Sequence, residues 1–185
     1  MQNPFLIGPT VYLRPPDKAD APVVAPWFND QEVLRFLGTI RPTSVASEEA
    51  FLAGLNTNPM EPAFGIVVRE TDRLIGVTGL SKTDVLNRHT MFGIGIGDKS
   101  AWGKGYGTEA TRLIVGYAFE TLNLHRVWLR VFEYNPRGVR AYEKAGFRLE
   151  GRLRQECFRE GRYWDVLFMA ILRDDWEKQA RRAET

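Results

Sequence analysis

Residues 92–117 read FGIGIGDKSAWGKGYGTEATRLIVGY, and this stretch decides the fold. An apolar run that predicts a strand is followed by a loop with glycines at positions 103, 105 and 107, and then by apolar residues at helical spacing. Closely spaced glycines let backbone N–H groups approach an anion, and the first turn of a helix adds unpaired N–H donors and the positive end of the helix dipole. The stretch therefore predicts a phosphate-binding loop between a strand and a helix.

The elements around this stretch predict an α+β fold whose strands are mostly antiparallel. Three strands separated by short polar turns form a meander that ends with Thr90–Ile96. A helix joins Thr90–Ile96 to the β-rich run Arg126–Phe132, so we expect these two strands to be parallel neighbours. About seven strands are expected, flanked by helices. The predicted strands are Val11–Arg14, Ala63–Arg69, Leu74–Leu80, Thr90–Ile96, Arg126–Phe132, Phe147–Phe158 and Tyr163–Leu172. The other predicted helices are Ala21–Phe28, Gln31–Phe36, Glu48–Leu55 with Ser47 as N-cap, Pro136–Ala145 and a charged helix from Asp174.

Composition narrows the class of protein. The chain has 185 residues, enough for one domain over residues 1–185, and 44% of them are hydrophobic. A net charge of +2 gives no reason to expect nucleic acid as a partner. One cysteine and two histidines exclude an internal disulfide and argue against a catalytic metal. No stretch approaches the roughly 18 apolar residues of a membrane span, and no signal peptide is evident, so we expect a soluble cytoplasmic protein without membrane partners.

Two other phosphate-binding patterns compete for the glycine loop. A Walker A motif fails because five residues separate Gly97 from Gly103 and because Gly105 replaces the magnesium-binding Ser or Thr. The segment from Gly105 to Ala110 matches the dinucleotide pattern GxGxxG/A, with Glu133 as the acid that would hold a ribose. About eight residues lie between the strand and this pattern instead of a tight turn. A dinucleotide-binding oxidoreductase therefore remains a weak alternative.

Two separate motifs carry a resemblance to a known family. WGKGYGTEA at the loop, NPRGVRAYEKAGF after the next strand, and the hairpin EGRLRQECFREGRYWDVLFMAIL resemble the GNAT superfamily of acetyl-CoA-dependent N-acetyltransferases. Within it, the sequence is most similar to the branch that contains the ribosomal-protein N-terminal acetyltransferases. The resemblance implies a splayed sheet with acetyl-CoA as co-substrate, held where Thr90–Ile96 and Arg126–Phe132 diverge. A noncatalytic acyl-CoA-binding sensor is the alternative from another functional class.

The resemblance also implies which residues hold acetyl-CoA. Backbone amides of the loop would receive the pyrophosphate, and the end of the preceding strand would run beside the pantetheine arm. Trp102 stands where many family members carry Gln or Arg, which removes one side-chain contact but leaves the amides in place. Lys104 adds a positive charge. The expected cofactor-binding residues are Ile94, Gly95, Ile96, Trp102, Gly103, Lys104, Gly105, Tyr106, Gly107, Thr108, Asn135 and Tyr142.

Acetylation of an amine needs a neutral amine and a leaving thiolate, so a base is useful. Glu133 follows the strand beside the splay and is the first candidate for the base, with a water chain as the alternative. Asn135 is also expected as a helix cap. By the resemblance, Asn135 contacts the pantetheine arm and Tyr142 lies near the sulfur as hydrogen-bond donor or general acid. Cys157 is expected to pack in a strand and is not a nucleophile.

The acceptor is less defined than the donor. The sequence is compatible with a small-molecule amine, such as a polyamine or amino sugar, or with a protein N-terminus. Four acidic residues near the N-terminal helices and the C-terminal hairpin are candidates to meet an ammonium group: Asp30, Glu32, Glu156 and Asp165. Family analogy alone suggests a homodimer built by the C-terminal strands.

Overall fold

One eight-stranded mixed sheet forms the centre of the computed structural model, which describes residues 1–183 and the side chains of residues 1–179. The strands lie in the order β1-β2-β3-β4-β5-β6-β8-β7, and all neighbouring pairs are antiparallel except β5 and β6. Their bounds are β1 Leu6–Ile7, β2 Val11–Arg14, β3 Ala63–Val68, β4 Arg73–Asp84, β5 His89–Ile96, β6 Arg126–Phe132, β7 Arg148–Arg159 and β8 Arg162–Leu172. The predicted α+β fold is confirmed, and the strand beyond the expected seven is the two-residue β1.

Six α-helices flank the sheet in the described part of the chain. Their bounds are α1 Ala21–Val24, α2 Gln31–Leu34, α3 Val45–Ala53, α4 Tyr106–Glu120, α5 Pro136–Lys144 and α6 Arg173–Ala183. The long helix α4 buries Ile114, Ala118 and Phe119 in the main hydrophobic core, as its apolar spacing predicts. None of the helices in this part of the chain combines the length and the apolarity that a membrane crossing requires.

The parallel pair separates after a short paired segment. His89, Thr90 and Met91 of β5 pair with the first three residues of β6, and the pairing stops there although both strands continue. The rest of β5 keeps β4 as its partner, with Ile94 opposite Thr78. The edge of β5 that faces β6 is therefore without a strand partner from Phe92 onward, and the two strands enclose a gap in the sheet.

Two of the early helices differ from the sequence prediction. α1 ends at Val24, and Pro26 then opens a separate 3-10 turn, because proline cannot donate the hydrogen bond that would continue the helix. α3 begins at Val45, so Ser47 as the N-cap was wrong. The cap is Ser44, whose hydroxyl accepts a hydrogen bond from the Ser47 amide at 3.1 Å.

Candidate active site

Two cavities meet at the gap between β5 and β6. The smaller cavity has a volume of about 360 Å³ and is lined by the glycine loop, the start of α4 and one face of α5. The larger cavity has a volume of about 750 Å³ and lies between the N-terminal helices, β4, β5 and the β7–β8 hairpin. Six described residues line both cavities: Val33, Phe36, Leu37, Ile94, Gly95 and Tyr142. A molecule in one cavity can therefore reach a molecule in the other, and Ile94, Gly95 and Tyr142 lie at this junction.

The glycine loop has the conformation that its glycines predict. Gly103 and Gly105 have φ of 76° and 87°, in the left-handed region that favours glycine. Gly105 is also the N-cap residue of α4 and offers no capping side chain, so the first N–H groups of the helix have no side-chain partner at the cap. The loop and the first turn of α4 line the smaller cavity, which places backbone donors and the positive end of the helix dipole there.

Helix α5 adds positive charge to the same cavity. Arg137, Arg140 and Lys144 follow each other at helical spacing and all line the smaller cavity. The described residues that line this cavity include no aspartate or glutamate. The sequence analysis missed this basic stripe, although the helix was expected and the three cations recur along one of its faces. The cavity is therefore suited to an anion of high charge.

Trp102 and Arg137 form one wall of the smaller cavity together. The Arg137 guanidinium carbon lies 4.0 Å from the centre of the Trp102 ring, and the indole N–H donates to the carbonyl of Ile96 at 2.8 Å. Burial lowers the pKa of Arg137 below its ordinary value. The Trp102 indole N–H is therefore used within the protein, and the ring of Trp102 holds Arg137 in the wall of the cavity.

Asn135 and Tyr142 lie at the start and on the inner face of α5. The Asn135 side-chain oxygen accepts a hydrogen bond from the Gly138 amide at 2.9 Å, which confirms the predicted helix cap. The Tyr142 ring packs edge-on against Phe92, with ring centres 6.2 Å apart. Burial raises the pKa of Tyr142 to about 12. Its hydroxyl has no hydrogen-bond partner among the described residues, so it is available to a ligand at the junction of the cavities.

The structure brings most of the expected cofactor residues together. Eleven of the twelve line the smaller cavity, and Lys104 is not among the described residues that do so. Ile94, Gly95 and Ile96 supply the strand edge that faces the gap. Gly103 and the residues from Gly105 to Thr108 line the same cavity.

Glu133 has partners of its own at the end of β6. Its carboxylate accepts hydrogen bonds from the Asp165 amide at 2.8 Å and from the Arg152 guanidinium at 2.9 Å. Asp165 pairs with the same arginine at 2.9 Å, which lowers the pKa of Asp165. Neither Glu133 nor Asp165 is among the described residues that line the two cavities. These groups form an ion-pair network that joins β6, β7 and β8.

The other acidic candidates for the acceptor side are also paired. Asp30 and Glu32 both bind the Lys99 ammonium group, at 2.7 and 3.1 Å, and they do not line the larger cavity in the described structure. Glu156 does line it, with its carboxylate 2.6 Å from the Arg130 guanidinium. Only one of these four carboxylates therefore reaches the larger cavity, and its charge is offset by an arginine.

The larger cavity contains one acidic residue that the sequence analysis did not single out. Glu48 of α3 is only 5% exposed and lines the cavity. Its Oε1 atom is buried and has no hydrogen-bond partner. Glu48 stands beside Ser47 and Glu49 in a polar stretch and looks like an ordinary surface residue, so sequence alone gave no sign of its burial.

Fold and site together define an acetyltransferase of the class that the sequence motifs resemble. Residues 10–148 match the family described as Acetyltransferase (GNAT) domain. The chain belongs to this family, and the predicted N-acetyltransferase activity is confirmed. Among the described residues, no three His, Cys, Asp or Glu side chains cluster where they would hold a metal ion.

Several N-acetyltransferases are similar to this chain. The uncharacterized N-acetyltransferase YnaD of Bacillus subtilis is 30% identical over 160 residues, covering 85% of this chain and 90% of its own length. The spermidine N(1)-acetyltransferase of Vibrio cholerae is 38% identical over 103 residues, covering 56% of this chain and 59% of its own length. The crystal structure of a spermidine N-acetyltransferase from Vibrio cholerae, in complex with CoA and spermine, superimposes with a TM-score of 0.83 at 28% identity and covers 91% of this chain and 98% of that one.

Proposed function

We propose that this enzyme transfers the acetyl group of acetyl-CoA directly to a primary amine, without a covalent enzyme intermediate. The observation that carries the proposal is the junction of the two cavities at Ile94, Gly95 and Tyr142. One cavity suits the phosphates of the donor, and the other is large enough for an acceptor. Direct transfer is supported because no described serine, cysteine or lysine lines both cavities, and because burial raises the pKa of the Tyr142 hydroxyl to about 12, which keeps it protonated.

The donor side of the proposal rests on charge and backbone geometry. CoA carries several phosphate charges, and the smaller cavity is lined by Gly103, by the residues from Gly105 to Thr108 and by the cations Arg137, Arg140 and Lys144. An acid that would hold a ribose hydroxyl of a dinucleotide is not among its described lining residues, which counts against the oxidoreductase alternative. A CoA-bound relative with the same fold gives further support.

In the proposed reaction the neutral amine nitrogen attacks the thioester carbonyl carbon, the C–S bond breaks, and the electron pair leaves with the sulfur. The proton that the nitrogen loses passes through water to the thiolate, so that CoA leaves as the thiol. Backbone N–H groups near Ile94–Ile96 would polarise the carbonyl oxygen. The Tyr142 hydroxyl would donate a hydrogen bond to the departing sulfur. The Asn135 side chain uses its oxygen for the helix cap, which leaves its amide N–H groups for the pantetheine arm. Glu133 has weaker support as the base because both of its oxygens are engaged.

The acceptor is proposed as a primary amine, and the two sources of similarity suggest different members of that class. The Vibrio cholerae relatives act on spermidine, which makes a polyamine the first acceptor to test. The motifs in residues 102–147 resemble the ribosomal-protein branch, which keeps a protein N-terminus as the second. Both acceptors would enter through the larger cavity.

The test is a thiol-release assay in which the purified protein, acetyl-CoA and a library of primary amines are combined. The library contains polyamines, aromatic and alkyl monoamines, amino sugars and peptides with free N-termini. We expect CoA release that depends on one class of amine, with the acetylated product identified by mass spectrometry. Tight binding of acetyl-CoA without turnover of any amine would favour the noncatalytic sensor. Binding of NADH that CoA does not displace would favour the dinucleotide enzyme.

A further inference from the structure

Glu48 is a buried acid without a partner in the larger cavity. It is the fourth residue of α3, and its side chain is 5% exposed. The buried Oε1 atom accepts no hydrogen bond from the protein. Burial raises the pKa of the Glu48 carboxyl above its ordinary value. An unsatisfied buried carboxyl destabilises the folded protein, so its presence in a cavity wall points to a ligand that satisfies it.

The other charged groups of the larger cavity are mostly positive. Glu156 is paired with Arg130, so these two charges offset each other. Lys82 and Arg159 also line the cavity, and neither has a carboxylate partner in the described structure. The Arg159 Nε atom is buried without a hydrogen-bond acceptor. Glu48 is therefore the only carboxyl in the described wall that is free to pair with a cation, and any second cation would face positive neighbours.

The remaining wall of the cavity is chiefly apolar and aromatic. The aromatic lining residues come from the N-terminal helices, from the sheet, from α5 and from the C-terminal hairpin, and they include Trp27, Phe28, Phe51, Phe64, Phe92 and Phe158. Such a wall stabilises an apolar or aromatic body by removing it from water.

We propose that Glu48 binds the ammonium group of the acceptor in the larger cavity and takes up its proton, so that the nitrogen is neutral when it attacks the thioester, and that the acceptor carries this one charge on an apolar body. The proposal rests on the proposed acetyl transfer and narrows its acceptor class. It predicts that a polyamine is a poor acceptor for this chain, because its further ammonium groups would lie beside the unpaired cations Lys82 and Arg159. An arylalkylamine meets both requirements of the cavity.

The test compares two amines of similar size and different charge, 2-phenylethylamine and spermidine, in wild type and in Glu48→Gln. Wild type is expected to show kcat/KM at least about tenfold higher for 2-phenylethylamine than for spermidine. Glu48→Gln should raise KM for 2-phenylethylamine about tenfold to a hundredfold, since a hydrogen-bonded charge pair is lost. KM for acetyl-CoA should not change. Glu49→Gln is the matched control, because Glu49 is the adjacent, exposed residue of the same helix.

Three results would overturn the proposal. They are a wild-type preference for spermidine, an unchanged amine KM in Glu48→Gln, or an equal rise of KM for amine and for acetyl-CoA. Thermal unfolding of Glu48→Gln shows whether the variant folds, and a melting temperature at or above that of wild type is expected because an unsatisfied charge is removed. Glu48→Asp, which keeps the charge on a shorter side chain, should retain part of the affinity for the amine.

Failure of the proposed acetyl transfer can be distinguished from failure of the proposal about Glu48. If wild type acetylates no amine in the library, the proposed function fails, and calorimetric titration of 2-phenylethylamine into the CoA-bound protein then decides the proposal about Glu48. Binding to wild type that is lost in Glu48→Gln and kept in Glu49→Gln supports it. Equal binding to all three proteins, or no binding to wild type, refutes it.

Discussion

Replacement of Tyr142 by phenylalanine tests whether the hydroxyl acts by hydrogen bonding or by proton transfer. The pKa of Tyr142 is about 12, against about 8.5 for a thiol, so full transfer of its proton to the departing thiolate is uphill by about 5 kcal/mol. A hydrogen bond to a charged sulfur is worth about 1.5–3 kcal/mol. Tyr142→Phe should therefore lower kcat by about tenfold to 150-fold and leave the affinity for acetyl-CoA within about threefold.

The assay is steady-state CoA release with a saturating amine, together with equilibrium binding of acetyl-CoA. The phenylalanine ring keeps the contacts with Phe92 and Phe147, so thermal unfolding should change little. Because Tyr142 keeps its proton until the pH approaches 12, the kcat of wild type should show no alkaline decline from this group below about pH 11. An unchanged kcat in Tyr142→Phe would refute the reasoning, and a loss far beyond 150-fold would indicate that proton transfer contributes.

Three further variants test the remaining site residues. Glu133→Gln should lower the free energy of unfolding by less than about 1 kcal/mol in urea titrations, since the Glu133–Arg152 ion pair is half-exposed. It should leave kcat within about threefold. A hundredfold loss of kcat would restore Glu133 as the base. Gly105→Ala should cost about 1–2 kcal/mol of stability at φ 87° and raise KM for acetyl-CoA, whereas Gly151→Ala, with open space and an ordinary φ, should do neither. Arg137→Met should weaken acetyl-CoA binding about tenfold in low-salt titrations and less at high salt. The control is Arg162→Met, which removes an arginine from the face of another tryptophan, Trp164. It should have no effect on acetyl-CoA binding.

Local sequence patterns were sufficient to predict the strand, loop and helices that line the smaller cavity. The apolar run of β5, the glycine loop and the amphipathic α4 are consecutive in sequence, so their order and their cavity-facing backbone follow from short-range rules. The Asn135 cap and the proline after it likewise depend only on neighbouring residues. Most of the expected cofactor residues accordingly line one cavity.

Residues whose position depends on distant neighbours were harder to interpret. Glu133 looked free at the end of a strand, but β7 and β8 bring Arg152 and the Asp165 amide to its carboxylate. Lys99 neutralises Asp30 in the same way, across almost seventy residues of sequence. Pairing of this kind requires the folded positions of both partners, which no local pattern specifies.

The sequence by itself determined that a strand, a glycine loop and a helix would follow one another, with glycine in place of a capping side chain at the helix start, because backbone conformation there depends on residue type and spacing. Only the tertiary structure decided where β5 and β6 separate, since strand pairing is set by the packing of the whole sheet. It also decided that Glu48 is buried without a partner while other acids are paired. The burial of a charge depends on what the rest of the chain places around it, which no local pattern specifies.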